Sequence, residues 1–167
     1  MTTTTMHQPI SHTDDDAPLV MPMHWEMVDH LIPLDWRKDS KYMQSHGYAP
    51  HIGALDIETS TNGQFAWMYL WAFAVDDLIF YGRTVDDLKQ FLRRLAARLD
   101  LRTDYRLATY IHNAKYDLSF LRRDLSLLSK RKADFIARSR RQIIRCCMEI
   151  CYEVRDSAVY SEMPLEM

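Results

Sequence analysis

Residues 51–81 read HIGALDIETSTNGQFAWMYLWAFAVDDLIFY and predict a meander of three strands joined by short turns. β-Branched, aromatic and aliphatic residues dominate the strand segments, and Asn-Gly and Asp-Asp pairs interrupt them, as turn residues do. The strands are expected at residues 52–57, 65–75 and 78–81, and the turns at 60–63 and 76–77.

An alternation of helix and strand follows the meander. Thr84 is expected to cap a helix whose apolar residues recur at spacings of three and four, at Val85, Leu88, Leu92, Leu95 and Leu99. A strand over 105–111, a helix from Tyr116 to about Leu128, and a strand or hairpin over 142–154 complete the pattern. This order predicts an α/β fold with a mixed sheet flanked by helices.

Composition sets limits on the kind of protein. With 167 residues, 47% of them hydrophobic, the chain is expected to form one ordered domain. The formal net charge of −2 is not that of a strongly basic nucleic-acid binder, so any DNA contact must be local. Cys146, Cys147 and Cys151 form no zinc or disulfide pattern and are expected to be reduced thiols in a core strand.

The N-terminal segments carry fewer signals. Residues 1–20 are rich in Thr, His and Asp and are expected to be a disordered tail, and residues 21–50 an irregular N-terminal arm. No basic segment precedes an apolar one, and no apolar run reaches the length of a membrane span. We therefore expect a cytoplasmic location, with no membrane partner.

Asp56 and Glu58 form the first candidate site. Side chains two apart on a strand point to the same face, so both carboxylates project together while Ile57 enters the core. Close carboxylates repel each other unless one is protonated or a cation binds, and hard divalent ions prefer such oxygen ligands. Asp-x-Glu is nevertheless common at solvated strand ends, and that alternative stays open.

A second group of residues, HNAKYD at 112–117, follows the strand that is expected beside the first one. Strand pairing would bring Asp117 near Asp56 and Glu58. Considered by itself, Asp117 is as easily the N-cap of a helix as a partner of Asp56 and Glu58. Likewise, Tyr116 and Phe120 are as easily core aromatics, and Asn113 a turn residue.

Together these motifs resemble a known family. LDIETS (55–60) is similar to the first exonuclease motif of proofreading DNA polymerases, and YIHNAKYDLSFL (110–121) to the second, in the spelling typical of protein-primed phage polymerases of family B. YEVRDSAVYSEMPLEM (152–167) resembles the strand of those enzymes that carries Asp-Ser and then Leu-Pro. The resemblance covers roughly residues 50–167 and implies a ribonuclease-H-like (DnaQ-like exonuclease) sheet.

The resemblance also implies roles for individual residues. Asp56, Glu58 and Asp117 would be the catalytic carboxylates that bind two Mg²⁺ or Mn²⁺ ions for hydrolysis of the 3′ ends of single-stranded DNA. Five further residues match positions that hold the DNA end: Thr59, His112, Asn113, Tyr116 and Phe120. The rest of a DNA polymerase is a possible partner.

One expected part of the pattern is missing. The family's third motif, a Tyr and an Asp four residues on, lies beyond Met167, so residues 51–167 would be an exonuclease domain truncated before it. The alternative is a catalytically incomplete remnant or split subunit that binds DNA or another protein.

Two further features have two interpretations each. Asp156 is as readily a strand-end carboxylate near Arg155 as a metal ligand. A basic stretch is interpreted either as a surface that binds a DNA backbone or as a solvated charged face. Its residues are Lys130, Arg131, Lys132, Arg138, Arg140, Arg141 and Arg145.

Overall fold

The computed structural model describes residues 21–34, 36, 40–125, 136–139, 142–149 and 151–158, which form an α/β domain around one mixed sheet. Its eight strands lie in the order β1-β4-β3-β2-β5-β8-β7-β6. The strands are β1 (Met23–His24), β2 (Tyr48–Thr61), β3 (Ala66–Val75), β4 (Leu78–Gly82), β5 (Arg106–Ile111), β6 (Ile136–Ser139), β7 (Gln142–Met148) and β8 (Tyr152–Asp156). The helices are α1 (Val28–Leu31), α2 (Lys41–Ser45), α3 (Val85–Arg98) and α4 (Ala114–Leu121).

The strand directions divide the sheet into two parts. β2, β3 and β4 form the predicted antiparallel meander, although β2 begins at Tyr48, four residues earlier than Ile52. β5 pairs with β2 in parallel, and β8 pairs with β5 in parallel. β7 returns antiparallel to β8, so the segment expected as a strand or hairpin is a hairpin that ends at Asp156.

Helix α3 contributes four buried residues to the core: Leu88, Phe91, Leu92 and Leu95. Its Phe91 ring lies 5.4 Å from Trp71, 5.2 Å from Phe73 and 5.2 Å from Phe80, between centroids, and all four rings are buried. Gly82 leaves room for this packing, because a Cβ there would lie 2.5 Å from the Trp71 ring. Close packing of aromatic rings thus fixes α3 across the meander.

Part of the N-terminal arm packs on α3. Trp25, Val28 and Ile32 are buried in the same core, and the short strand β1 extends the sheet edge beside β4. Asp29 lies 3.2 Å from the Arg94 guanidinium and 3.3 Å from that of Arg98. The tail that is expected at residues 1–20 lies outside the described residues, and the proposed domain boundaries stay predictions.

The three cysteines are buried and none of them forms a disulfide, as expected. Cys146 and Cys147 lie on β7, and Cys151 directly precedes β8. Burial raises the pKa of the Cys146 thiol to about 12 and that of Cys151 to about 11. The Cys146 and Cys151 thiols are therefore uncharged packing groups at neutral pH. Separately, no helix in the described part of the chain is long and apolar enough to cross a membrane.

The N-terminus of α3 provides a test of the local structure. The Thr84 hydroxyl accepts the amide N–H of Asp87, and the Asp87 carboxylate accepts the amide N–H of Thr84, which forms a capping box. Thr84→Ala is expected to lower the free energy of unfolding by about 1 kcal/mol in denaturant titration. Gln90→Ala, an exposed change on the same helix, is the control. Equal stability of Thr84→Ala and the control would show that the cap contributes nothing.

Candidate functional site

The strand β2 separates its carboxylates from its core residues. Leu55 and Ile57 are buried. Asp56 and Glu58 alternate with them along the strand and are exposed on its opposite face. Ala54 is level with Tyr110 on β5, so these carboxylates lie beside the end of that strand. The predicted orientation of the pair is therefore confirmed.

Helix α4 begins just after β5 and carries Asp117 into the interior. Asn113 is the N-cap in the left-handed conformation, with φ 54° and ψ 52°, and its side chain makes no capping bond. Asp117 is the fourth residue of the helix and is only 5% exposed, so the interpretation of Asp117 as the N-cap is wrong. The helix ends at Leu121, earlier than expected, and turns at residues 122–124 follow it.

The Asp117 carboxyl has an unusual environment. Burial, the largest cause, and then the negative charges of Asp56, Asp156 and Glu58 together raise its pKa from the usual 3.8 to about 7. Its Oδ2 atom is buried and has no hydrogen-bond partner among the described residues. An unsatisfied buried carboxylate oxygen is costly, and such groups commonly mark a function.

Asp156 is the residue that sequence reasoning undervalued. It is the last residue of β8, level with Ile111 on β5, and is 4% exposed. Its Oδ1 atom accepts the amide N–H groups of Asn113, at 3.1 Å, and Ala158, at 3.0 Å. It is therefore a strand-end carboxylate, as one of its two interpretations had it, and a buried one. The signal available in the sequence was the strand-like stretch 152–154, which Asp156 follows closely.

The chemistry of this acidic group fits a divalent cation. Four carboxylates from β2, α4 and β8 lie close enough for three of them to raise the pKa of the fourth, and one oxygen is unsatisfied. Carboxylate oxygens are the ligands that Mg²⁺ and Mn²⁺ prefer. Within the described residues, however, no three such side chains already stand at metal-ligand spacing.

Thr59 and Tyr116 connect β2 to α4 beside the carboxylates. The Thr59 hydroxyl lies 2.8 Å from the Tyr116 hydroxyl, and the Tyr116 ring is 47% exposed. The Phe120 ring packs edge-on against it at 5.2 Å between centroids and is partly buried against the core. The alternative of two core aromatics is therefore wrong for Tyr116 and partly right for Phe120.

The remaining residues that were expected at the DNA end lie in the turn before α4. His112 is exposed, and its Nδ1 atom lies 3.4 Å from the Ser157 hydroxyl. Asn113 is exposed and occupies the turn, so its interpretation as a turn residue is correct. Both side chains are accessible to a ligand at this end of the sheet.

The basic stretch lies mostly outside the described side chains. Arg145 is described, and its guanidinium lies 3.9 Å from the carboxylate of the buried Glu153. The charge of Arg145 therefore offsets a buried acid, which favours a structural role at this one position. Lys130, Arg131, Lys132, Arg138, Arg140 and Arg141 are not among the described side chains.

Comparison with known proteins yields structural similarities alone. No family model matches the sequence, and no curated protein matches it. The structure is similar to phi29 DNA polymerase complexed with primer-template DNA and incoming nucleotides, at 15% identity and a TM-score of 0.46. It is also similar to the same polymerase with single-stranded DNA, at 14% identity and a TM-score of 0.44. Each match covers 64% of this chain, and 20% and 21% of the polymerase chain, respectively.

The raised pKa of Asp117 predicts a pH-dependent stability. The folded state keeps this carboxyl protonated at pH values where the unfolded chain has released the proton. The free energy of unfolding therefore falls as pH rises from about 4 to about 7, by at most about 1.4 kcal/mol per unit. Asp117→Asn removes this loss, so in a chelating buffer at pH 8 the variant should melt higher than the original chain.

Divalent metal should reverse the order of the two melting temperatures, so that the original chain melts higher than Asp117→Asn. Mn²⁺ at pH 8 is expected to raise the melting temperature of the original chain, because it binds only the folded state, and to change that of Asp117→Asn much less. Asp124→Asn, an exposed carboxylate just beyond α4, is the control. If Asp117→Asn kept the pH profile and metal response of the original chain, Asp117 would not be the titrating ligand.

Proposed function

We propose that this chain is the N-terminal proofreading portion of a phage-type DNA-directed DNA polymerase and removes nucleotides from the 3′ ends of single-stranded DNA. The observation that carries the proposal is the unsatisfied buried oxygen of Asp117 among three further carboxylates. The exonuclease-like motifs at 55–60 and 110–121 supply three of those acids, Asp56, Glu58 and Asp117, in the expected order. An antiparallel meander followed by the parallel strands β5 and β8 supports a ribonuclease-H-like sheet.

Asp56, Glu58 and Asp117 are the residues that would hold Mg²⁺ or Mn²⁺. Bound there, divalent ions lower the pKa of a water molecule and stabilise the attacking and leaving oxygens of a phosphodiester. Asp156 has a positioning role in this scheme. Its carboxylate accepts the amide N–H of Asn113 and so fixes the left-handed turn before α4. Helix α4 begins at that turn and places Asp117 toward β2.

The exposed residues beside the acids account for the single-stranded substrate. The Tyr116 ring offers a stacking face to an unpaired base, and its contact with Thr59 and Phe120 limits its rotation. The accessible polar groups of Thr59, His112 and Asn113 can bond to sugar and phosphate oxygens. Bases of a closed duplex are already stacked on each other and cannot use the Tyr116 face.

A DNA-binding module without useful turnover is the second candidate. It is favoured by one observation, since no three acidic or histidine side chains in the described part of the chain stand at metal-ligand spacing. In that case the aromatic and polar surface would bind single strands, while the acids would not assemble for hydrolysis. The two candidates differ in cleavage and agree in binding.

Digestion of a labelled oligonucleotide tests the enzymatic proposal. In single-turnover reactions with Mn²⁺, the chain is expected to shorten single strands from the 3′ end. The double change Asp56→Ala and Glu58→Ala should slow this by roughly a hundredfold or more, because misplacement of the reacting groups alone has an effect of that size. Asp77→Ala, an exposed acid in the β3–β4 turn, is the control. Cleavage that survives the double change would exclude this site as the catalytic one.

Binding tests the stacking surface that both candidates share. Tyr116→Ala is expected to weaken affinity for single-stranded DNA by about 1–3 kcal/mol in a fluorescence titration, since one stacked base loses its partner. Binding of this kind without any metal-dependent cleavage would favour the module over the enzyme. Equal affinity with and without the Tyr116 ring would contradict both.

A further inference from the structure

The start of β3 and Phe65, the residue directly before it, expose aromatic side chains that the proposed site does not use. Phe65 is 69% exposed, Trp67 46% and Tyr69 47%, and they recur at every second residue. Side chains at this spacing lie along one face of a strand. Large apolar groups exposed side by side, in place of burial in the core, commonly mark an interaction surface. We call Phe65, Trp67 and Tyr69 the aromatic row.

A β-bulge joins the aromatic row to the candidate site. Glu58 pairs with Leu70, but the next residue, Thr59, pairs with Met68, so Tyr69 is the extra residue on β3. Bulges re-aim side chains and are frequent next to active sites. Tyr69 thus lies opposite the link between Glu58 and Thr59 on β2. Glu58 is a candidate metal ligand, and the Thr59 hydroxyl contacts that of Tyr116. The aromatic row therefore begins where the proposed stacking residue Tyr116 is held.

The chemistry of the β2–β3 hairpin suits a nucleic-acid strand. Residues 59–75, the part of the hairpin beyond Glu58, contain no Asp, Glu, Lys or Arg, so no carboxylate there repels a phosphate backbone. The turn between the strands offers hydroxyl and amide groups from Thr61, Asn62 and Gln64, all of which are exposed residues. Aromatic rings stack on any base, because every base has a π-face.

We propose that the aromatic row is a second stacking platform, which holds unpaired bases upstream of the 3′ end while that end lies at the carboxylates. This inference rests on the proposed function, because it assumes single-stranded DNA beside Tyr116. The row extends the binding surface along the hairpin, away from Asp56 and Glu58. A longer single strand would then contact both the Tyr116 face and the row, whereas a very short one would reach only the former.

Affinity as a function of strand length tests this platform. In a chelating buffer, Trp67→Ala is expected to weaken binding of an oligothymidylate of about twelve nucleotides by roughly 5- to 100-fold, the equivalent of one lost stacked base. The same change should leave the binding of a trinucleotide unaltered. Trp67→Phe, which keeps a ring, should restore most of the affinity. Tyr116→Ala should weaken binding of both oligonucleotides, because its ring lies at the 3′ end.

The controls separate the platform from the proposed function. Tyr42→Ala removes an exposed ring on α2, before β2 begins, and should change neither affinity. If Tyr116→Ala weakens binding while Trp67→Ala has no effect on the longer strand, the platform is wrong and the proposed function stands. If the original chain binds neither oligonucleotide, both fail. Self-association that Trp67→Ala abolishes without loss of DNA affinity would make the row a contact between copies and overturn the platform.

Discussion

The parallel pairing of β2 with β5, and of β5 with β8, is the constraint on which the candidate site depends. Parallel neighbours present their carboxyl ends at the same edge of a sheet, and ligand sites of α/β folds lie at that edge. Ala54 is level with Tyr110, and Ile111 is level with Asp156. Acids that are far apart in the sequence therefore gather where β5 and β8 end beside β2.

Two buried acids in the same sheet show how the surroundings decide the role of a carboxylate. Glu153 is 2% exposed, accepts the Tyr48 hydroxyl at 2.8 Å, and lies 2.9 Å from the Arg155 guanidinium. Its charge is offset within the protein. Asp117 is equally buried, but its charged neighbours are acids, and its Oδ2 atom has no partner in the described part of the chain. The first acid is paired within the fold, whereas the second is the one that we propose as a metal ligand.

The length of β2 links the acids to the aromatic surface. The strand continues past Asp56 and Glu58 to Thr61, so its hairpin with β3 extends beyond the carboxylates. Thr59 contacts Tyr116 from this extension, and the bulge at Tyr69 lies opposite. One strand thereby carries candidate metal ligands, a contact to the proposed base-stacking residue and the start of the aromatic row.

The sequence by itself determined the meander, the capped helix α3 and the outward orientation of Asp56 and Glu58. These features depend on alternation, turn residues and hydrogen bonds between near neighbours, as at Thr84. Only the tertiary structure decided that Asp117 is buried and no helix cap, and that Asp156 lies beside it. Burial and charge proximity depend on pairing between strands such as β5 and β8, which are about forty residues apart in the chain, and no local pattern records such pairing.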